Sequence, residues 1–207
     1  MTIRVTYLAS AAILALAAVS ASSAQAAYTV TFQEVGGNVV EVGSGTLDTT
    51  DLTDDGSPFS EVAAVSPTGG QVFSGSTSST PVEFFTGVSG PVSFGTGSET
   101  LASSSSGDFV GLEGNGEGFL FTPVGFTSGA LSETSTYSGA TFASLGLTPG
   151  TYVYAWGTAD HADSFTIDIS NASGTPEPAT WAMMLLGFAG LGYAAVRHQR
   201  APRAVSA

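Results

Sequence analysis

An antiparallel β-sandwich of the jelly-roll kind is the fold predicted for the body of this sequence. It is framed by an N-terminal signal peptide and a C-terminal single transmembrane helix. Three observations predict this. Short β-branched and aromatic runs recur between Gly, Pro and Asp clusters. Both ends are apolar and basic: Arg4, Arg197, Arg200 and Arg203 are the four Lys/Arg side chains, and none lies between Val5 and Val196. All 17 acids fall between Glu34 and Glu177, giving a net charge of −13. That balance excludes nucleic acid as a partner, because neutralising phosphates takes Lys and Arg. The absence of cysteine excludes disulfides, thiolate catalysis and Cys-ligated metals.

The N-terminus has a short positive start ending at Arg4, an apolar stretch from Val5 to Ser20, and the small-residue site Ala24-Gln25-Ala26. Residues 1–26 are therefore expected to be a signal peptide, cut between Ala26 and Ala27 by signal peptidase after passage through the export translocon.

The body, residues 27–170, opens with a hairpin. Tyr28 to Phe32 alternates, Gly36-Gly37-Asn38 can turn, and Val39 to Val42 returns. Further strands are expected at Gln71–Phe73, Val82–Thr86, Pro91–Phe94, Asp108–Leu112, Gly118–Phe121 and Tyr137–Phe142. Leu145 and Leu147 lead into a turn at Thr148-Pro149-Gly150. Tyr152, Tyr154 and Trp156 then share one face of a strand, and Phe165, Ile167 and Ile169 share one face of the next. These two strands are expected to pair antiparallel with those faces inward. A parallel β-helix is the alternative architecture, but no fixed-period repeat supports it.

Residues able to carry catalysis are few. His161 is the only histidine of the body and lies in the loop-like Asp160-His161-Ala162-Asp163. No G-x-S-x-G elbow accompanies it, and no side-chain cation is available to hold an anionic transition state. A carboxylate pair such as Glu113 and Glu117 has the residue types of a glycosidase, yet its Gly-rich surroundings read as a turn. The body is thus expected to be non-enzymatic and without a cofactor. Calcium is the minority alternative, because it takes oxygen ligands from flexible loops. Its candidates are Asp48, Asp51, Asp54 and Asp55 in one segment and Asp160 and Asp163 in another; the spacing is not that of an EF-hand loop. The Tyr152, Tyr154 and Trp156 face could stack on sugar rings if exposed, though alternating aromatics are more often core.

Asn171 to Thr175 reads as a linker. Pro176-Glu177-Pro178 follows, then two spacer residues and Trp181-Ala182. Trp181 to Val196 carries no charge and is about 24 Å long as a helix. Ala179 and Thr180 extend it to a transmembrane segment over 179–196. The basic tail 197–203 carries Arg197, Arg200 and Arg203, which hold that end in the cytoplasm by the positive-inside rule. Glycines and apolar residues cover every face of the segment, so a half-buried helix of a soluble domain fits poorly.

Residues 176–203, with the motif at 176–182, resemble the PEP-CTERM sorting signal in its PEPxxWA variant, which occurs in proteobacteria that make exopolysaccharide. The segment Thr141–Ile169 is similar to stretches that precede such signals in small proteins of this kind. The resemblance implies recognition of Pro176, Glu177, Pro178, Trp181 and Ala182 by an exosortase, a membrane-embedded cysteine transpeptidase. It implies a transient inner-membrane stage, removal of the helix and delivery to the cell surface or matrix, with exopolysaccharide as a neighbour. The chain itself is the substrate, so it inherits no catalytic residue.

Overall fold

The computed structural model describes residues 26–170, apart from Ser57 and Asn115. Residues 1–25 of the signal peptide, the linker, the Pro176–Ala182 motif, the transmembrane segment and the basic tail lie outside the described residues. Among the described residues, no helix is long and apolar enough to cross a membrane.

The chain starts with the expected hairpin, β1 (Ala26–Val35) against β2 (Asn38–Asp48). Gly36 and Gly37 turn it at φ of +60° and +81°, a conformation that side-chain-bearing residues resist. Then come β3 (Thr53–Asp54), β4 (Phe59–Glu61), β5 (Ala64–Ser66), β6 (Gln71–Ser74) and β7 (Thr80–Val88). Two short strands, β8 (Thr100–Leu101) and β9 (Ser104–Gly107), precede β10 (Val110–Glu113), β11 (Gly118–Pro123) and β12 (Ser128–Tyr137). A one-turn helix, α1 (Phe142–Leu145), leads to β13 (Gly150–Trp156) and β14 (Asp163–Ile169).

These strands form two sheets. The six-stranded sheet has the order β13-β14-β1-β2-β12-β9. The eight-stranded sheet runs β3-β7-β11-β10-β6-β5-β8, with β4 also on β7. One hydrophobic core joins them: Tyr28, Phe32, Phe165 and Ile167 from the first sheet meet Leu112 and Leu120 from the second. A sheet must bury one face, and two sheets that bury theirs against each other make a β-sandwich.

One pair departs from the antiparallel expectation. β1 and β14 run parallel, from Ala26↔Asp163 to Phe32↔Ile169. A hairpin cannot make a parallel pair, and the connection here is the entire rest of the domain. The β13–β14 pair is antiparallel as expected, with Tyr154 and Trp156 buried beside Phe165, Ile167 and Ile169.

Two strand expectations need correction. Pro91–Phe94 is not a strand; it is a loop that plugs Phe94 into the core, with the Phe94 N–H donating to the Pro67 carbonyl at 3.0 Å. Tyr137–Phe142 is not one either. The strand ends at Tyr137, and α1 begins behind a reciprocal Thr141–Ser144 cap that pairs the Thr141 and Ser144 N–H groups at its N-terminal end. The strand that lies in this region, β12, was not anticipated. Its inward positions include Glu133 and Ser135, so it shows no hydrophobic alternation.

Candidate functional site

Three places in the domain concentrate chemistry. The first is on the outer face of the eight-stranded sheet. β6, β7 and β11 are apolar on both faces, so their outward residues, joined by Phe109 from just before β10, build a second cluster of Phe73, Val82, Phe109 and Phe121, with Phe84 and Phe119 packed on it. Gly111 makes this possible. A Cβ there would stand 2.5 Å from the Phe73 ring, which lies across β10 to meet Phe121 edge-on at 4.7 Å. Phe84 stacks on Phe121 at 5.9 Å, and Phe59 closes the row at 6.4 Å from Phe84. Phe59, Phe84, Phe119, Phe121 and Glu113 line an open cleft of about 200 Å³. Phe59 is 52% exposed and leaves its ring open to solvent. Aromatic faces with one carboxylate at the edge can stack a flat, hydroxyl-bearing ligand and accept its hydrogen bonds.

The second place is the pole of the sandwich where β1 begins. Here the structure brings together candidates from both acidic segments. His161 Nδ1 lies 2.8 Å from Asp48 Oδ2. The Asp48 N–H donates to Asp163 Oδ2 at 2.7 Å, and the Thr158 N–H donates to Asp51 Oδ2 at 3.0 Å. Trp156 Nε1 donates to the Asp48 carbonyl at 2.8 Å, which anchors the loop to the core. Burial works against ionised Asp48, but hydrogen bonds from His161 and Thr50 outweigh it and hold the carboxyl below its ordinary value. The same contact raises His161 above its ordinary value. Asp54 stands apart and accepts the Gly56 N–H at 2.8 Å on the edge strand β3, followed by Asp55. Asp160 sits in the short turn Ala159–His161. The Asp48, Asp51, Asp54 and Asp163 carboxylates are engaged in holding loops, and among the described residues no three His, Asp or Glu side chains converge as a metal-ligand set.

The third place was not legible in the sequence. Glu41 of β2 is fully buried, and Glu133 of β12 is 5% exposed. In the β2–β12 register Glu41 faces Ser135, and Glu133 faces Gly43. The Tyr137 hydroxyl donates to Glu41 Oε2 at 3.3 Å. From the opposite sheet, the Ser74 hydroxyl bonds that of Ser135, which also lies 2.7 Å from Ser105 Oγ. Burial pushes Glu133 up to about 7 and raises Glu41 well above its ordinary value, with the neighbouring Glu133 charge adding to it. Ser74 lies close enough to both carboxyls to moderate these shifts.

The remaining sequence candidates are dispersed. Glu113 belongs to the aromatic cleft, and Glu117 lines a different groove with Thr86, Ser89 and Gly118. Tyr154 and Trp156 are buried and offer no face to a sugar. Ala26 and Ala27 open β1, whereas Ala24 and the sorting residues Pro176, Glu177, Pro178, Trp181, Ala182, Arg197, Arg200 and Arg203 lie outside the described residues.

Residues 175–200 match the PEP-CTERM protein-sorting motif. The match takes in Pro176 through Arg200 and stops short of Arg203. The motif marks an exported protein with a membrane-anchored intermediate and an exosortase as its processing partner. No curated protein matches the chain, and no solved structure matches it.

Proposed function

We propose that this chain is an exosortase substrate of the PEPxxWA type that ends as a non-enzymatic protein of the proteobacterial cell surface or extracellular matrix, associated with exopolysaccharide. The observation that carries the reading is the order of parts at the C-terminus. Pro176-Glu177-Pro178 precedes an apolar segment, and arginines follow it, within the stretch that matches the sorting motif. The two prolines keep the residues before them out of the helical region, so the recognition peptide stays extended where an enzyme can bind it. The apolar segment and its arginines halt translocation and fix the depth of that peptide in the inner membrane.

Replacing Pro176, Glu177 and Pro178 together by alanine tests the assignment. Insertion is expected to persist, because the span and its arginines are untouched. Removal of the helix is expected to stop, so the precursor accumulates in the membrane fraction. Mass spectrometry of the surface form reads the outcome: intact Trp181–Arg203 on the parent's surface form refutes processing at this motif.

The Phe59–Phe84–Phe119 cleft favours a second reading, a carbohydrate-binding adhesin. Stacking of pyranose rings on the phenylalanines, with Glu113 accepting hydroxyls, is the chemistry such a cleft offers. Binding of the host's own polysaccharide is then expected to weaken about tenfold or more in a Phe59→Ala/Phe84→Ala variant, since each tenfold is about 1.4 kcal/mol and aromatic anchors dominate such contacts. Equal binding by parent and variant leaves the cleft without this role.

A further inference from the structure

We propose that Glu41, Glu133 and the Tyr28 hydroxyl form a buried binding site for a divalent cation of the calcium class, set between the two sheets. The argument starts from oxygens without partners. Glu41 Oε1, both carboxylate oxygens of Glu133 and the Tyr28 hydroxyl are buried and make no hydrogen bond. Buried polar atoms are almost always paired, and carboxylate oxygens left dry are among the most costly.

Two of these atoms converge on one point. A Cβ built on Gly43 would lie 1.9 Å from Glu133 Oε1 and 2.6 Å from the Tyr28 hydroxyl, so both occupy the space that a side chain at position 43 would fill. Tyr28 is fully buried, and it comes from a different strand than either acid. Its orphaned hydroxyl is therefore an observation independent of the acid pair. Glu41 lies two residues from Gly43 on the same inward face of β2. Ser74 reaches in from the opposite sheet.

The chemistry of the donors selects the ligand. Every donor is an oxygen, which suits calcium and disfavours the metals that seek nitrogen or sulfur. Two carboxylates match the charge of one divalent ion. A side-chain counter-ion is not available, since the chain has no Lys or Arg between Val5 and Val196, and His161 is engaged with Asp48. Glu41 Oε1, both Glu133 oxygens and the Tyr28 hydroxyl are unpartnered donors, and Glu41 Oε2 and the Ser74 hydroxyl, already bonded to Tyr137 and Ser135, stand beside them to bring the set to the roughly six oxygens that calcium takes at least. The site differs from the Asp48 pole, where backbone N–H groups already occupy the carboxylates.

The test uses the full chain purified in detergent, at about pH 8, where ionised glutamate favours metal over proton. Calorimetric titration with calcium chloride is expected to show binding of one ion per chain. Thermal unfolding is expected to shift up by about 5–10 °C at a hundredfold excess over Kd. In Glu41→Gln/Glu133→Gln, which keeps the shape and removes both charges, the binding and the shift are expected to vanish. Asp51→Asn is expected to retain both. The proposal is overturned if the parent neither binds calcium nor shifts, if the double glutamine variant still responds, or if Asp51→Asn alone abolishes the response. The first result assigns the pair to protons and the other two move the ion elsewhere. A destabilised variant leaves the parent's own isotherm to decide.

Discussion

Between about pH 5 and about pH 8, in chelator, the β-sandwich is expected to lose folding stability on the order of 2 kcal/mol through Glu133, whose shift counts at about 1.4 kcal/mol per pKa unit. An unfolded glutamate ionises near 4.5, while Glu133 in the fold keeps its proton up to about 7. Across that interval the unfolded chain binds fewer protons than the folded one, so stability falls as pH rises. Glu41 is raised as well, by burial and by the neighbouring Glu133 charge, and acts in the same direction. Asp163 and His161 are also raised and act in the same direction: His161's contribution is present in acid and lost as pH climbs through its folded value. Asp48 works oppositely, its stabilisation disappearing as pH drops below the ordinary carboxylate range. Tyr28 and Tyr137, which face the pair, stay neutral throughout because burial and the two acids raise both. Urea unfolding of the parent at stepped pH measures the slope, and Glu41→Gln/Glu133→Gln is expected to flatten it. A parent whose stability is flat or rising over this interval contradicts the burial of the pair.

The second large effect is in the core. Phe165→Ala is expected to cost about 3–5 kcal/mol, the range for deleting a buried aromatic ring. Phe165 is almost fully buried on β14, between β13 and β1, and its ring packs 5.3 Å from that of Tyr28. Against a typical total of about 5–15 kcal/mol, that removes a large share of the stability of the fold. The urea midpoint should fall with little change in m. Val153→Ala, on the exposed face of the neighbouring β13, is expected to stay within about 0.5 kcal/mol of the parent. Similar midpoints for the two variants are incompatible with this packing.

The contrast between β13–β14 and β12 explains which parts of the fold could be read in advance. Phe165, Ile167 and Ile169 alternate with Ser164, Thr166 and Asp168, and the large Tyr154 and Trp156 alternate with the smaller Val153 and Ala155, so period and burial agree and the pair is legible. In β12 the inward positions after Leu131 are Glu133, Ser135 and Tyr137, and the strand reads as a polar loop. The buried acids were hidden for the same reason. A glutamate in a Val-rich strand such as Glu41 looks like the solvent half of an alternation until β12 places a second one beside it. The aromatic cleft left a faint trace: Phe84-Phe85 and Phe119-Leu120-Phe121 put apolar side chains on both faces of their strands, more than a one-sided sheet requires. The pairing of Asp48 with His161 across more than a hundred residues is a property of topology, and local sequence holds no sign of it.

The parallel pairing of the first and last strands determines how the domain carries tension. Because β1 and β14 run the same way over seven matched positions, from Ala26↔Asp163 to Phe32↔Ile169, their outer ends point to opposite poles. A pull between Ala27 and Ser170 therefore acts along the strands and loads their ladder of hydrogen bonds in shear, all at once. An antiparallel pair of terminal strands leaving from one pole would instead be peeled open one bond at a time. Resistance to forced unfolding is governed by the unfolding rate, and shear geometry places the barrier at simultaneous rupture. A domain tethered at one pole and dragged from the other by flow or by a neighbouring polymer meets that load along its strongest direction.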